Sequence, residues 1–324
     1  MNVYTLAALR MLEDGGFHSG EVIARRLGVT RETISAALEG VEAQGLAIER
    51  VRGRGYRLLT PVRWLEAGAI RRALGGHAPR FDVEVVDTTV STNDDLLAAA
   101  AQGAPSGRVR VAELQTGGRG RRGRQWVSGL GGALTFSLLW RFAQGAGFLS
   151  GLSPPVGAAL LRALQSRGVE AARLKSPAAA PWRRLKLAGI LIELNGDVMG
   201  PTCAVIGIGL NVRLPETMRD RIDQPVTDLA RAGVDADRNR VLAAVLAEID
   251  RVMAVFAEQG FAPLRAEWEQ AHAYRDKMVR LRMPDGAEQE GRVAGVSDDG
   301  ALLLAVRSGT RKYYGGEISL RPSR

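Results

Sequence analysis

The chain has 324 residues, 46% apolar and 24% charged, a soluble globular composition long enough to bury two or three separate cores. Its single cysteine, Cys203, excludes an intramolecular disulfide framework, and three scattered histidines supply no Cys/His cluster for structural zinc. The net charge of +9 is concentrated: residues 108–124 carry six Arg and one Glu, and residues 162–186 carry seven Arg or Lys and one Glu, which predicts one electropositive site if the two windows meet in space.

Residues 1–14 lack the basic segment, apolar run and small-residue cleavage site of a secretory leader, and no apolar run reaches the about 18 residues that a membrane helix needs. The chain therefore reads as cytoplasmic, with no membrane partner. Three helices are predicted at the start: one over 6–14, one opened by Ser19 and running to Leu27, and one over 31–44 capped by Thr30, with Gly28-Val29 as the tight turn. That order is a helix-turn-helix. A hairpin follows, two short apolar runs around Gly53-Arg54-Gly55 with Arg50, Arg52, Arg54 and Arg57 along it, which completes a winged helix over residues 1–62. Thr30, Arg31, Thr33 and Ser35 on the third helix, with Arg52 and Arg54 on the wing, are the candidate DNA contacts. Glu32, Glu39 and Glu42 oppose that reading wherever they face phosphate, and such modules also serve in protein docking.

Residues 61–79 read as a linker and a helix near 64–74. Strand-like runs at 83–86, 109–112, 134–140, 190–194 and 204–210 mix with helical segments at 92–101, 153–167 and 238–259. Without strict alternation of strand and helix, this predicts an α+β domain built on a mixed sheet over residues 63–274. Short apolar alternations separated by turns, from 277 to 321, predict a small β-barrel over residues 275–324.

The most informative stretch is residues 115–126, Gln-Thr-Gly-Gly-Arg-Gly-Arg-Arg-Gly-Arg-Gln-Trp, in which four glycines and four arginines are closed by an indole. Glycine admits close approach of the backbone to a ligand, and arginine brings a fixed cation. Buried-strand patterns on both sides make this an anion-binding loop on a rigid scaffold rather than a disordered arginine-glycine tail.

The winged helix, Ser91-Thr92-Asn93, the GRGRRGR loop, Lys186-Leu187-Ala188-Gly189-Ile190-Leu191, Gly207-Ile208-Gly209-Leu210-Asn211 and the terminal Gly315-Gly316-Glu317-Ile318-Ser319-Leu320-Arg321 occur in that order. Over nearly the whole chain this resembles the bifunctional biotin protein ligase and biotin operon repressor family. The resemblance implies a central domain of the biotin/lipoate ligase type and an SH3-like terminal barrel. It implies that biotin's carboxylate attacks the α-phosphate of MgATP to give biotinyl-5′-AMP, and that a lysine of the biotin carboxyl carrier subunit of acetyl-CoA carboxylase then takes the biotinyl group. Biotin, ATP and Mg²⁺ are the implied ligands, with no metal held by the protein alone; the carrier protein, operator DNA and a second copy of the chain in a homodimer are the implied partners.

Carried over residue by residue, the resemblance makes Lys186, Arg119 and Arg121 the cations between carboxylate and phosphate, which also belong to the biotin site. Ser91, Thr92, Asn93 and Gln115 resemble contacts to the ureido ring, while Gly118, Gly120 and Gly189 admit close backbone approach. Arg124, Trp126 and Asn211, with Lys186 and with Glu317 and Arg321 of the terminal domain, resemble the nucleotide contacts. Read without the resemblance, Ser91 to Asn93 also fit a helix N-cap, and Trp126 also fits ordinary packing.

One segment departs from the family. Where the pattern has Lys-Trp-Pro-Asn-Asp, this chain has Lys175-Ser176-Pro177-Ala178-Ala179, without the indole, the amide and the carboxylate, and Arg183 and Arg184 follow without an acidic counterweight. Loss of an acid/base or positioning group lowers a rate by ~10² to 10⁴. A biotin- or adenylate-sensing repressor with an impaired ligase domain is therefore the alternative reading. A lipoate ligase is another, against which the GRGRRGR loop and the attached winged helix both speak.

Overall fold

The computed structural model describes the backbone of residues 1–174, 179–182, 185–197, 199–234, 236–283, 286–314 and 319–322, and their side chains except at 122, 179–182 and 319–322. The N-terminal unit consists of α1 (Thr5–Arg10), α2 (Gly20–Leu27), α3 (Arg31–Leu38) and the hairpin of β1 (Ile48–Val51) and β2 (Gly55–Leu58). The Ser19 and Thr30 hydroxyls cap α2 and α3, accepting from the Val22 and Thr33 amides at 3.2 Å.

Two helices are shorter than their apolar spacing predicts. Helix α1 stops at Arg10, and α3 stops at Leu38 because Gly40 takes a φ of +72°, after which Val41–Gln44 forms a separate 3₁₀ turn. Ile34, Leu38 and Val41 still enter one core, so the two pieces leave a continuous apolar pattern in the sequence.

Helix α4 (Ala67–Leu74) leads into the central domain: β3 (Asp82–Thr89), α5 (Thr92–Ala101), β4 (Arg108–Gln115), β5 (Ala133–Phe142), α6 (Ser153–Gln165), β6 (Ala179–Trp182), β7 (Leu185–Gly196), β8 (Thr202–Asn211), α7 (Glu216–Arg219), α8 (Arg238–Gln259) and α9 (Arg265–Ala271). The sheet order is β3-β4-β5-β8-β7-β6. Strands β3 and β4 are parallel, joined through α5, and the other neighbours are antiparallel. Alternation along β5 sends Leu134, Phe136, Leu138 and Trp140 into the large core with residues of α6 and α8, and turns Leu139 toward Leu96 and Ala100 of α5. The elements β6, α7 and α9 are too short to leave a periodic signal, and the sequence pattern does not predict them.

The C-terminal unit is an antiparallel sheet of β9 (Met278–Arg282), β10 (Glu288–Val296), β11 (Leu302–Val306), β12 (Gly309–Tyr313) and β13 (Ser319–Pro322), in the order β12-β11-β10-β9-β13. The protein is thus α+β, a winged helix, a mixed-sheet domain and a small antiparallel sheet in sequence. Among the described residues no helix is long and apolar enough to cross a membrane.

His272, between α9 and β9, is buried and stacked on Trp268 with ring centroids 4.5 Å apart. Burial, and then the positive charge of Lys277, push its pKa down to about 4. An unfolded imidazole takes its proton near pH 6.5, so below that pH the unfolded chain binds more protons than the folded one. Stability is therefore expected to fall between pH 6.5 and 4, by up to about 3 kcal/mol from this group. Urea unfolding at pH 7 and pH 5 measures the drop, and His272→Phe, which keeps the stacking but cannot titrate, should flatten it.

Candidate functional site

The glycine-arginine stretch folds as a small hairpin. The Trp126 amide donates to the Gly118 carbonyl at 2.8 Å, the Gly120 amide donates to the Arg124 carbonyl at 2.7 Å, and a 3₁₀ turn at Arg121–Gly123 closes the tip. Where this hairpin leaves β4 and returns toward β5, it lays its closing indole onto the sheet. A Cβ on Gly209 would fall inside the Trp126 ring, and one on Gly189 would lie 3.5 Å from its edge. The Lys186 ammonium stands 5.5 Å from the ring centroid, within cation–π range.

The backbone of Lys186 is fixed separately. Its amide donates to the Pro225 carbonyl at 2.9 Å, and its carbonyl accepts from the Thr227 amide at 3.0 Å. The Asn211 amide group donates to the Thr227 carbonyl at 2.9 Å. Two buried oxygens beside this crossing, Asn211 Oδ1 and Thr227 Oγ1, have no hydrogen-bond partner among the described residues.

At the other end lies a buried polar cluster. Ser91 caps α5 by accepting from the Asp94 amide at 3.2 Å. The Thr92 amide and hydroxyl both donate to Gln115 Oε1, at 2.9 and 3.1 Å, and the Thr92 hydroxyl shares a hydrogen bond with Ser137 at 2.7 Å. Asn93 donates to Glu193 Oε2 at 2.6 Å, and a Cβ on Gly207 would overlap Asn93 Oδ1. The helix-cap reading holds for Ser91, while Thr92 and Asn93 turn inward from the first turn. Gly118 lies against the Gln115 amide and Trp126, leaving no room for a side chain.

Arg119 does not stand free for an anion. It donates to both oxygens of Asp94, at 2.5 and 2.8 Å, and to both of Glu193, at 3.1 and 3.2 Å. These bonds, that to Asp94 first, raise its pKa further. Arg121 is half-buried and Arg124 exposed. Residues 175–178, including Lys175, Ser176, Pro177 and Ala178, lie outside the described residues, as does Glu317; Arg321 is described only as a β13 backbone position opposite Arg280, and Ala179 only as the backbone partner of Gly189.

Among the described residues, several arginines of the two basic windows are paired with carboxylates. Arg108 pairs with Asp82 and Glu84, Arg110 with Glu84 and Asp95, and Arg162 with Glu248 and Glu267. Local carboxylates that a window count leaves out neutralise them. On the winged helix, Arg50 pairs with Glu42 and Arg57 with Glu49, both at 2.5 Å. Arg52 and Arg54 remain exposed at the wing tip, Arg54 over the Phe17 ring at 4.1 Å, while Arg31 and Ser35 share the exposed face of α3 with Glu32 and Glu39. The hydroxyl of Thr30 is occupied in capping, with that of Thr33 at 3.1 Å from it.

Sequence reasoning missed Asp94, Ser137, Glu193 and Thr227. A signal exists for two of them: hydroxyls at Thr135 and Ser137, two apart in an apolar strand, share one sheet face, and Glu193 is the lone acid in the apolar run of β7.

An arginine hairpin beside a buried polar cluster in a mixed sheet, with a winged helix before it and a small antiparallel sheet after it in sequence, defines the biotin/lipoate ligase class. The biotin/lipoate A/B protein ligase family matches residues 84–211, an HTH domain residues 5–57, and the biotin protein ligase C-terminal domain residues 276–321. The chain belongs to the biotin protein ligase family, and it is similar along its length to the bifunctional members. It is 35% identical over 316 residues to the bifunctional ligase/repressor BirA of Salmonella typhimurium, covering 98% of this chain and 97% of the relative. It is 34% identical to a biotin–[acetyl-CoA-carboxylase] ligase of Mycobacterium tuberculosis, covering 73% of this chain and 88% of that one. The structure of biotin protein ligase from Aquifex aeolicus in complex with biotin and ATP superposes with a TM-score of 0.64 at 29% identity, covering 75% of this chain and 99% of that one.

The close packing of Trp126 predicts an order of effects. Gly209→Ala should cost about 1–3 kcal/mol by overpacking, Gly189→Ala distinctly less, and Trp126→Ala in the same chain should relieve most of the Gly209→Ala loss. Urea unfolding of these three variants and of Trp126→Ala alone decides it; a neutral Gly209→Ala would mean that the indole does not lodge there.

Proposed function

We propose that the protein joins biotin to MgATP, releasing pyrophosphate and forming biotinyl-5′-AMP, and transfers the biotinyl group to a lysine of a biotin carboxyl carrier protein, releasing AMP. The observation that carries this reading is the meeting of Lys186 and Trp126 over Gly189 and Gly209 with the buried polar cluster of Thr92, Asn93 and Gln115 beside it.

In this reading the ureido ring lies at the polar end, near Ser91, Thr92, Asn93 and Gln115, with Gly118, Gly120 and Gly189 leaving room for it. The carboxylate then points toward Lys186, with Arg121 contributing from the hairpin. Two anions approach each other there, and a mobile ammonium at the meeting point offsets their repulsion and follows the charge that builds on the phosphoryl group. Trp126, Arg124 and Asn211 serve the nucleotide, together with Glu317 and Arg321. In this reading Mg²⁺ arrives with ATP, whose phosphates would hold it together with water.

Adenylation needs cations more than it needs the Asn and Asp that Ala178 and Ala179 replace, so the reading keeps catalysis at a rate lowered by ~10² to 10⁴. The second reading, a sensor that binds without turnover, rests on those same replacements. The winged helix (residues 1–62) acts on operator DNA through Arg31, Ser35, Arg52 and Arg54, with Thr30 and Thr33 holding the start of α3, and the protein works in the cytoplasm as a repressor that dimerises when charged with adenylate. The catalytic domain is assigned residues 63–274 and the terminal domain 275–324.

Biotin-dependent exchange of labelled pyrophosphate into ATP is expected from the wild-type chain, falling at least about 10²-fold in Lys186→Ala. Biotin binding without any exchange would establish the sensor. For DNA, Arg52→Ala combined with Arg54→Ala should reduce the slope of log affinity against log salt by about 2, one unit for each phosphate left without its arginine. Fluorescence anisotropy with operator duplex over a salt series reads that slope.

A further inference from the structure

Arg119 sits on the first arm of the arginine hairpin, opposite Gln125. Its guanidinium grips Asp94 with two parallel hydrogen bonds and reaches Glu193 with two longer ones. Asp94 belongs to the first turn of α5, where a carboxylate is favoured, and Glu193 belongs to β7, where Asn93 also holds it. The hairpin is therefore tied at its root to the two elements that build the polar end of the pocket. All three side chains are part-exposed, between 29% and 45%, so the tie is of the exposed kind that shifts a population without locking it.

We propose that Asp94 and Glu193 are positioning residues that latch the hairpin over the pocket through Arg119, touching neither biotin nor the phosphates. The proposal rests on the adenylation reading in one respect: it makes the latch the element that retains the adenylate until the carrier arrives. Opening it exposes the hairpin backbone and lets the adenylate leave, whereas the bond-making step, served by Lys186, keeps its rate once biotin and ATP are bound.

The full-length chain is compared with Asp94→Asn, Glu193→Gln and the conservative Asp94→Glu. Trypsin cleavage after Arg121 to Arg124, followed by mass spectrometry without any ligand, reports hairpin opening; release of preformed biotinyl-5′-AMP, and its single-turnover formation, report the consequence. Asp94→Asn and Glu193→Gln should each speed cleavage and adenylate release by roughly 3- to 10-fold. Formation should stay within about twofold of wild type in Asp94→Asn, whose carboxylate meets the proposed biotin site through Arg119 and whose backbone amide keeps the Ser91 cap. Asp94→Glu should restore both, and high salt should bring the wild type toward the variants. Cleavage at the wild-type rate in both neutral variants, or a loss of formation in Asp94→Asn as large as the gain in release, overturns the latch. Should the wild type make no adenylate, the adenylation reading fails, and the cleavage rates still decide whether Asp94 and Glu193 hold the hairpin.

Discussion

The seating of Trp126 and Asn93 on the central sheet depends on one patch that carries few large side chains. Gly189 of β7 faces Gly209 of β8 across the ladder, Gly209 faces Thr135 of β5, and Thr135 faces Ala112 of β4. In the next row on the same face, Leu191, Gly207 and Ser137 follow. The first row forms a hollow that accepts the flat Trp126 ring, and the second leaves room for Asn93 beside Gly207. Glycine inside a strand weakens it. The opposite face offsets that cost: Ala188, Ile190, Ile208, Leu210, Leu134 and Phe136 all enter the large core with α6 and α8. A sheet so unequal on its two faces holds its register strongly, because a slip of one residue would expose the apolar face and fill the hollow.

Many of the charged side chains among the described residues are held in pairs. The buried pair of Arg238 and Glu113, 2.7 Å apart, is further satisfied by the Leu65 amide on the acid and by the Arg63 and Ala133 carbonyls on the base. These bonds fasten the linker to α8 and β4 beneath the sheet. Such a pair gives little net stability over apolar packing, but neither member tolerates the loss of the other. On the wet side, the segment leaving Trp126 reaches the winged helix within four residues, where the Leu130 amide donates to the Gln44 carbonyl at 2.8 Å, and Arg10 pairs with Asp87. Leu114 and Leu130 enter the winged-helix core, so this unit is packed on the central domain and not merely strung to it.

Legibility in the sequence followed the range of the interactions. Helix α8 was readable to the residue because its signals are local: an Asp237 cap, a long 3.6-residue apolar repeat and Gly260 at its end. The strands were readable from apolar runs, the wing from its Gly-Arg-Gly turn, and the loop from its glycines and arginines. Arg119 was assigned to anions because its partners lie 25 and 74 residues away, at a separation that no spacing rule detects. The same blindness hides the partners of Arg110 and Arg162 from a window count, since Glu84, Glu248 and Glu267 lie outside the windows. The Gly40 break was hidden by the opposite effect, a local backbone turn that leaves the apolar period intact.

In the proposed reaction, with Arg119 held by carboxylates, more of the electrostatic role falls to Lys186 than the arginine-rich loop suggests. An ammonium at the edge of a half-buried pocket loses hydration, and the Trp126 π face returns part of it, about 0.5–2 kcal/mol. That is much less than a charge-assisted bond to carboxylate or phosphate oxygens offers in the same low-dielectric setting. In the proposed reaction the ring therefore keeps the lysine at the site while it waits and gives it up when two anions enter. The backbone crossing with Pro225 and Thr227 keeps the root of that side chain fixed through the exchange, so only its flexible end has to move. In that proposed reaction, placing the hairpin's indole against the strand's lysine couples the position of the hairpin to the position of the charge.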